Sequence, residues 1–174
     1  MQKMHWLESH LGSIGKAIEF ANDFLWNLSL THDGEQWYIK SNEQIIFQSA
    51  SRELVDAFLY GMGLAYEGTP DWISNPILDE LREVLKHQHL DFQITPPSME
   101  EVIRIGKLTC WNFKIIENPP MFYVIDGEPV IYSSDSIEGL TAFMNGMGLG
   151  LMGLPNPYQE RIIAGVTKWC EELD

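Results

Sequence analysis

The chain repeats itself, and this repeat constrains its fold more than any other feature of the sequence. Residues 57–66 read AFLYGMGLAY, and residues 142–151 read AFMNGMGLGL. When the sequence is aligned with itself at an offset of 85 residues, 17 of the 52 positions from 26 to 77 are identical. Two lengths of 85 residues account for nearly all of the 174 residues, so the pattern indicates a duplicated structural unit.

The duplication predicts a chain of two homologous units. We place them at residues 1–90 and 99–174, with the stretch DFQITPPS at 91–98 as the linker between them. Related units can bury a shared core about a pseudo-twofold axis, in the way that two subunits of a homodimer share one self-complementary interface. A single fused globule with this pseudo-symmetry is the expected architecture, and two separate domains are the alternative.

Hydrophobic periodicity predicts the same order of elements, α-β-β-β-α-α, in both units. Apolar residues at helical spacing from 14 to 25 indicate a first helix, and its counterpart starts at the capping residue Ser98. Helices are predicted next near 51–65 and near 136–150, where Asp135 fits the cap of the second one. Each unit ends in one more helix.

Strand periodicity lies between the first two helices of each unit. In the first unit, polar and apolar residues alternate from 26 to 31, Asp33-Gly34 suits a tight turn, and further strands are expected near 36–40 and 44–48. The second unit repeats this pattern. We therefore expect a three-stranded antiparallel meander in each half and an α+β fold class.

The two helices with the repeated AFxxGMGL sequence each carry a stripe of small residues. Ala57 and Gly61 share one helix face, and Ala142 and Gly146 share the matching face of the second helix. Glycine inside a helix costs roughly 0.5–1 kcal/mol relative to alanine, so a close packing contact is expected to offset that cost. We predict a structural packing role for these four residues, either between the two helices or against a sheet.

Charge is the strongest constraint on partners. The formal net charge is −14, and it divides evenly, because residues 1–89 hold 13 acidic and 6 basic side chains while residues 90–174 hold 12 and 5. Such a field repels phosphate backbones and anionic membranes, so nucleic-acid and membrane binding are not expected. A basic protein partner is compatible with it. The sequence predicts no particular oligomeric state.

The apolar segments and the cysteine content together predict the cellular location. No apolar run approaches the ~20 residues of a membrane span, and the first residues lack the uninterrupted apolar stretch of a signal peptide. Two cysteines are few for a disulfide-stabilised secreted domain, so a cytoplasmic protein is expected. Cys110 and Cys170 align with Leu25 and Leu85 in the repeat, which favours small buried hydrophobic side chains.

No catalytic residue, metal site or cofactor is predicted. His87 and His89 lie near Asp91, but a polar helix end explains them more simply than zinc, which needs three or four ligands. Residues 13–16 match S-x-x-K without the companion motifs of penicillin-recognising enzymes. Residues 148–153 match G-x-G-x-x-G at the C-terminal end of a predicted helix, whereas a pyrophosphate binds at a helix N-terminus.

The sheets offer the most specific binding hypothesis. Strict alternation gives each sheet one core face and one mixed polar and aromatic face, on which Asn27 and Tyr38 recur as Asn112 and Tyr123. These four residues are the candidate ligand or partner surface. Alternatively, helices of the other half cover this face and each tyrosine hydroxyl bonds to an asparagine. The core face is predicted to hold Trp26, Leu28, Leu30, Trp37, Ile39, Ile45 and Phe47, and the mixed face Ile46 and Ile131.

The order of helix, three-stranded meander and helix resembles that of double-stranded RNA-binding domains over about 50 residues of each half. That family relies on lysines at the start of its second helix, and no lysine stands at the matching positions here. The resemblance therefore implies an order of elements and not RNA binding. The positions hold Ser51, Arg52, Glu53 and Asp56 in the first half, and Ser136, Ile137, Glu138 and Thr141 in the second.

These features favour a non-catalytic, acidic interaction or regulatory protein that binds a protein partner. A small-molecule binding protein is the alternative, with a site between the two repeats or on the mixed sheet face. An enzyme with a carboxylate-based site is a third hypothesis, for which the sequence identifies no acid–base pair.

Overall fold

The computed structural model describes residues 14–173, which contain six helices and two three-stranded antiparallel sheets. The predicted α+β class is confirmed, and the order of elements is the same in both halves. In the first half these are α1 (Ile14–Asp23), β1 (Leu28–His32), β2 (Trp37–Ser41), β3 (Gln44–Ser49), α2 (Arg52–Glu67) and α3 (Asp71–Leu85). In the second half they are α4 (Met99–Leu108), β4 (Phe113–Asn118), β5 (Met121–Asp126), β6 (Val130–Ser134), α5 (Ile137–Met152) and α6 (Asn156–Leu173).

Serine hydroxyls cap the helices that follow each sheet. Ser51 Oγ accepts a hydrogen bond from the Leu54 amide at 3.4 Å, and Ser136 Oγ accepts one from the Gly139 amide at 3.0 Å. The predicted capping role of Asp135 is therefore wrong by one residue, because the Ser136 side chain reaches the unpaired amides of the first turn. The equivalent caps start α2 and α5 at matching places in the repeat.

A β-bulge in the third strand of each sheet changes which residues face the core. Ile39 pairs with Phe47 while Lys40 pairs with Ile45, so Ile46 is an extra residue on β3. As a result Ile46 is 7% exposed and Ile45 is 45% exposed, the reverse of the prediction from strict alternation.

The second sheet has the same irregularity. Val124 pairs with Tyr132 while Ile125 pairs with Val130. The extra residue, Ile131, is 6% exposed, so its predicted place on the mixed face is also wrong. Strict alternation fails at the same position in both halves because one inserted residue shifts the phase of every side chain beyond it.

The closest packing in the molecule is between α2 and α5, which make the most extensive contact of any two elements. A Cβ atom added at Gly61 would overlap the Phe143 carbonyl oxygen, and one added at Gly146 would overlap the Phe58 carbonyl oxygen. Phe58 and Phe143 are equivalent positions in the repeat, so the contacts are reciprocal. The final helices α3 and α6 also contact each other.

The buried side chains of the two halves form one apolar core. The equivalent tryptophans Trp26 and Trp111 are almost fully buried, at 0% and 1% exposure. Phe92, from the predicted linker, packs edge-on against Trp26 with the ring centroids 5.0 Å apart. The Gln93 amide donates to the Gly153 carbonyl oxygen at 2.8 Å, so this stretch is held against the folded halves by side-chain and backbone contacts.

Cys110 and Cys170 form a disulfide, with their Cα atoms 5.7 Å apart. Both residues are half-buried, so the interpretation as small buried hydrophobic side chains is wrong. Cys110 follows α4 with a φ of 68°, and Leu25 has the same φ after α1. Leu25 and Leu85 pack against the core at the equivalent positions, so a covalent bond stands where the first half has two leucines.

No helix within residues 14–173 is long and apolar enough to cross a lipid bilayer. The cytoplasmic location remains a prediction. The disulfide gives it no support, because persistent disulfides are typical of proteins in oxidising compartments.

We expect Gly61→Ala to lower the melting temperature. The added methyl would gain helix propensity but would overlap a backbone oxygen of α5, which no rotamer change relieves. Overpacking of this kind costs about 1–3 kcal/mol, or roughly 2–4 °C per kcal/mol for a chain of this size. Gly165→Ala in α6 is the control, because its nearest neighbour at 2.8 Å is the Ile73 Cγ2 methyl, which can move. Equal melting temperatures for the wild type and Gly61→Ala would contradict the close approach of the two helices.

Reduction of the disulfide is expected to destabilise the fold. The bond closes a loop with a sequence separation of 60, for which the chain-entropy relation gives about 4 kcal/mol. Urea unfolding with and without dithiothreitol measures this loss, and the Cys110→Ser, Cys170→Ser double variant is the control that dithiothreitol should not affect. An identical midpoint for oxidised and reduced wild type would show that the bond contributes nothing.

Candidate functional site

The structure places the predicted surface residues of the first half at opposite ends of their sheet. Asn27 lies just before β1, and its Nδ2 donates to Asn42 Oδ1 at 2.7 Å, beside the β2–β3 turn. Tyr38 lies on β2, and its hydroxyl donates to Asp33 Oδ2 at 2.8 Å, beside the β1–β2 turn. Each residue therefore supports a turn of its own sheet.

The corresponding residues of the second half are also engaged locally. The backbone N–H of Asn112 donates to Asp126 Oδ1 at 2.6 Å. Tyr123 sits mid-sheet, paired with Ile116 and Ser133. Among residues 14–173, the side-chain hydrogen bonds of Asn27 and Tyr38 go to turns of their own sheet, and a shared ligand or partner surface of the four residues remains a prediction.

A cavity of about 470 Å³ lies instead in the first half, between α1, the end of α2 and α3. Three aromatic side chains line it: Phe20, Phe24 and Tyr66. Four carboxylates border it: Asp23, Glu67, Asp71 and Asp79. Its volume falls in the range of small-molecule sites, about 300–1,000 Å³.

Helix ends bring three of these carboxylates together. Asp23 is the last residue of α1, Glu67 is the last residue of α2, and Asp71 is the first residue of α3. A Gly-x-Pro break at 68–70 turns the chain from α2 into α3. Because the C-terminal end of a helix carries partial negative charge, α1 and α2 add to the negative field of the carboxylates.

The aromatic floor of the cavity is closely packed and largely apolar. Tyr66 is 3% exposed, stacks on Phe24 with the ring centroids 4.1 Å apart, and accepts a hydrogen bond from Trp26 Nε1. Burial raises the pKa of Tyr66 well above its ordinary value, so the ring stays a neutral phenol. Cations are attracted to aromatic rings and to carboxylates, and both kinds of group line this cavity.

One cation lies at the rim. Arg82 Nη1 is 2.7 Å from Asp79 Oδ1, and both side chains are largely exposed. Four carboxylates and one guanidinium leave a formal charge of −3 on the lining. The cavity is therefore a negatively charged recess with an apolar floor.

The second half has no acidic residue at the positions equivalent to the four carboxylates. At the positions equivalent to the four carboxylates it has Leu108, Met152, Asn156 and Ala164. There α4 and α6 close on each other, since Thr167 Oγ1 donates to the Leu108 carbonyl oxygen at 2.9 Å and the disulfide joins α6 to the end of α4. A space of only about 10 Å³ borders this region.

Sequence reasoning missed the cavity, although the repeat contained a signal for it. Comparison of the halves at the 85-residue offset matches acids in the first half with uncharged residues in the second at all four positions. Identical residues and cysteines do not reveal the site, because its signal is a difference in charge between the halves. Three of these differences, at Asp23, Glu67 and Asp71, fall at helix ends.

Other motifs have structural roles or lie outside the described residues. His89 Nε2 lies 2.7 Å from Asp91 Oδ1 in an exposed segment, and residues 14–173 hold no group of three or more potential ligands arranged for a metal. Gly148 packs against Pro97 and Val102 inside α5, so its glycine motif serves packing. His5, His10 and the Ser13 of S-x-x-K lie outside the described residues.

Comparisons with protein-family models, with curated proteins and with solved structures find no match to this chain. Only the geometry and the charge of the chain itself therefore indicate its function.

The Asp33–Tyr38 pair generates a prediction about pH. Amide hydrogen bonds from Gln36 and then Glu35, followed by the Tyr38 hydroxyl, lower the pKa of Asp33 from 3.8 to about 2. A depressed carboxylate pKa contributes stability that is present above pH 3.8 and is lost as the pH falls toward 2. In an NMR titration, Tyr38→Phe should raise the Asp33 pKa only part of the way, because both amides remain. A wild-type pKa at the ordinary value would contradict the hydrogen bonds of this turn.

Proposed function

We propose that this protein is a non-catalytic binding protein that takes a positively charged, partly apolar group into the acidic cavity of its first half. The observation that carries this proposal is the convergence of four carboxylates on an aromatic floor in one repeat and not in the other. An ammonium or guanidinium group on a short apolar stem fits both features. The same chemistry belongs to a lysine or arginine side chain of a protein partner and to a free amine.

The charge of the whole chain supports the same ligand class. A net charge of −14 attracts cations at long range and raises their local concentration at a recess with low-dielectric walls. The aromatic rings then hold the apolar stem, and the carboxylates hold the charge. An acidic interaction protein, the function favoured by the sequence, would use this cavity as its point of contact with a basic partner.

We further propose that the two halves, residues 1–90 and 99–174, are related by a pseudo-twofold axis between α2 and α5. The reciprocal contacts of Gly61 with Phe143 and of Gly146 with Phe58 support this arrangement, as does the contact of α3 with α6. In such an arrangement one half can keep a closed, disulfide-linked form while the other half carries the binding cavity.

Binding of benzylammonium, measured by isothermal titration calorimetry, tests the proposed function. We expect benzylammonium to bind and neutral benzyl alcohol to bind at least about tenfold more weakly, because only the cation gains from the carboxylates. The Asp23→Asn, Asp71→Asn double variant should lose a similar factor. Glu100→Gln with Glu171→Gln removes the same charge elsewhere and should bind like the wild type.

Two further comparisons identify the source of the cation and the result that would refute the proposal. A lysine-containing peptide that binds more tightly than benzylammonium would identify a protein partner, and the reverse order would identify a free amine. Equal binding of benzylammonium by the wild type and by the Asp23→Asn, Asp71→Asn variant would refute the cavity as the site.

A further inference from the structure

A second recess lies between the two halves, where β3 of the first half faces α5 of the second. This interrepeat groove has a volume of about 260 Å³ and opens to solvent. Its apolar wall includes Phe47 and Leu54 from the first half, with Ile137 and Ala142 from the second. Asn145 projects from α5 into the same recess.

The duplication supplies a filled counterpart of this groove. By the 85-residue offset, Phe47 corresponds to Tyr132, Asn145 to Tyr60, and Phe58 to Phe143. Tyr132 stacks on Phe143 with the ring centroids 4.4 Å apart, as Phe47 stacks on Phe58 at 4.6 Å. The platform of two stacked rings is therefore present in both places.

The difference lies in the residue that covers the platform. Tyr60, from α2, lies over the second platform, with its ring centroid 6.4 Å from Tyr132 and 5.8 Å from Phe143. Burial raises the pKa of Tyr60, so a neutral phenol occupies that place. In the groove, Asn145 stands in the position of Tyr60 and supplies no ring.

We propose that the interrepeat groove binds a small molecule with a single phenol-type ring, seated on Phe47 as Tyr60 is seated on Tyr132. Replacement of a large ring by a smaller side chain leaves packing surface without partner atoms, and such a recess regains contacts when a ring of matching shape enters it. Offset or tilted aromatic contacts contribute about 0.5–1.5 kcal/mol beyond the buried area.

The polar side of the groove suits a hydroxyl-bearing ring. Among the described residues, the half-buried Asn145 amide makes no side-chain hydrogen bond, so it can donate to or accept from a ligand hydroxyl. Thr141 lies on the same helix face, one turn earlier; its hydroxyl donates to the Ile137 carbonyl oxygen at 2.8 Å, and its oxygen can still accept a hydrogen bond from a ligand hydroxyl. Ile137, 48% exposed at the rim, would be covered by the ligand.

This site is separate from the acidic cavity and carries a different chemistry. None of the residues that line the groove lines the cavity. Glu138 is the one charged residue that lines the groove, whereas four carboxylates and a guanidinium line the cavity. The two proposals can therefore fail independently.

Titration with p-cresol, followed by NMR of the Ile137 and Ala142 methyl groups, tests the proposal. We expect saturable shifts in the wild type, and a dissociation constant at least about fivefold higher for cyclohexanol, which has the hydroxyl but no aromatic ring. Asn145→Tyr should fill the groove with its own ring, abolish the p-cresol shifts and raise the melting temperature. Unchanged p-cresol binding in a folded Asn145→Tyr variant would overturn the proposal, and so would the absence of saturable shifts in the wild type.

Tyr60→Asn is the converse variant. It removes the ring from the filled counterpart, so it should lower the melting temperature and raise the p-cresol stoichiometry from one equivalent to two. A folded Tyr60→Asn variant that binds only one equivalent of p-cresol would refute the claim that a bound ring and the Tyr60 ring occupy equivalent places.

Discussion

The backbone contact of α2 with α5 at Gly61 and Gly146 is the constraint on which the rest of the structure depends. Carbonyl oxygens of Phe58 and Phe143 occupy the space that side chains would take at the two glycines, so the helices cannot shift without losing the contact. This fixes the two phenylalanine rings, and each ring in turn stacks on the third strand of its own sheet. The same α2 helix ends at Glu67, so its position also determines where the acidic cavity forms. One close approach therefore links the sheets, the cavity and the interrepeat groove.

The two halves share the residues of the α2–α5 contact and differ in many residues outside it. The AFxxGMGL segments are nearly unchanged between the halves, and their central glycines make reciprocal contacts, Gly61 with Phe143 and Gly146 with Phe58. Positions outside that contact are free to differ. In the first half Asp23 and Asp79 border an open cavity, whereas the equivalent Leu108 and Ala164 lie where α4 and α6 close. The disulfide adds a covalent link to the closed half, so the two halves differ in covalent structure as well as in the placement of their charges.

The order of elements could be predicted from the sequence because it depends on local periodicity that the repeat shows twice. Features that depend on one residue or on distant contacts could not. The alternation of polar and apolar residues does not predict the bulge at Ile46, because Ile45 and Ile46 are both apolar. The bulge only exchanges which of the two side chains faces the core. The disulfide joins residues separated by 60 positions, and alignment of Cys110 with Leu25 indicated only that an apolar group is tolerated there.

The candidate sites could not be predicted for a different reason: their residues lie at positions where the two halves differ. A search for identities finds what the two halves share, and what they share is packing. Net charge gives no help, because both halves carry −7 and only the placement of the acids differs. Asp23, Glu67 and Asp71 meet because three helix ends meet, and that meeting depends on the tertiary contact of α1 with α2. In the same way, Asn145 indicates a binding groove only because the structure places the equivalent Tyr60 against the ring of Tyr132. In a duplicated chain, shared residues thus indicate the fold, and function is to be sought where equivalent residues differ and converge in space.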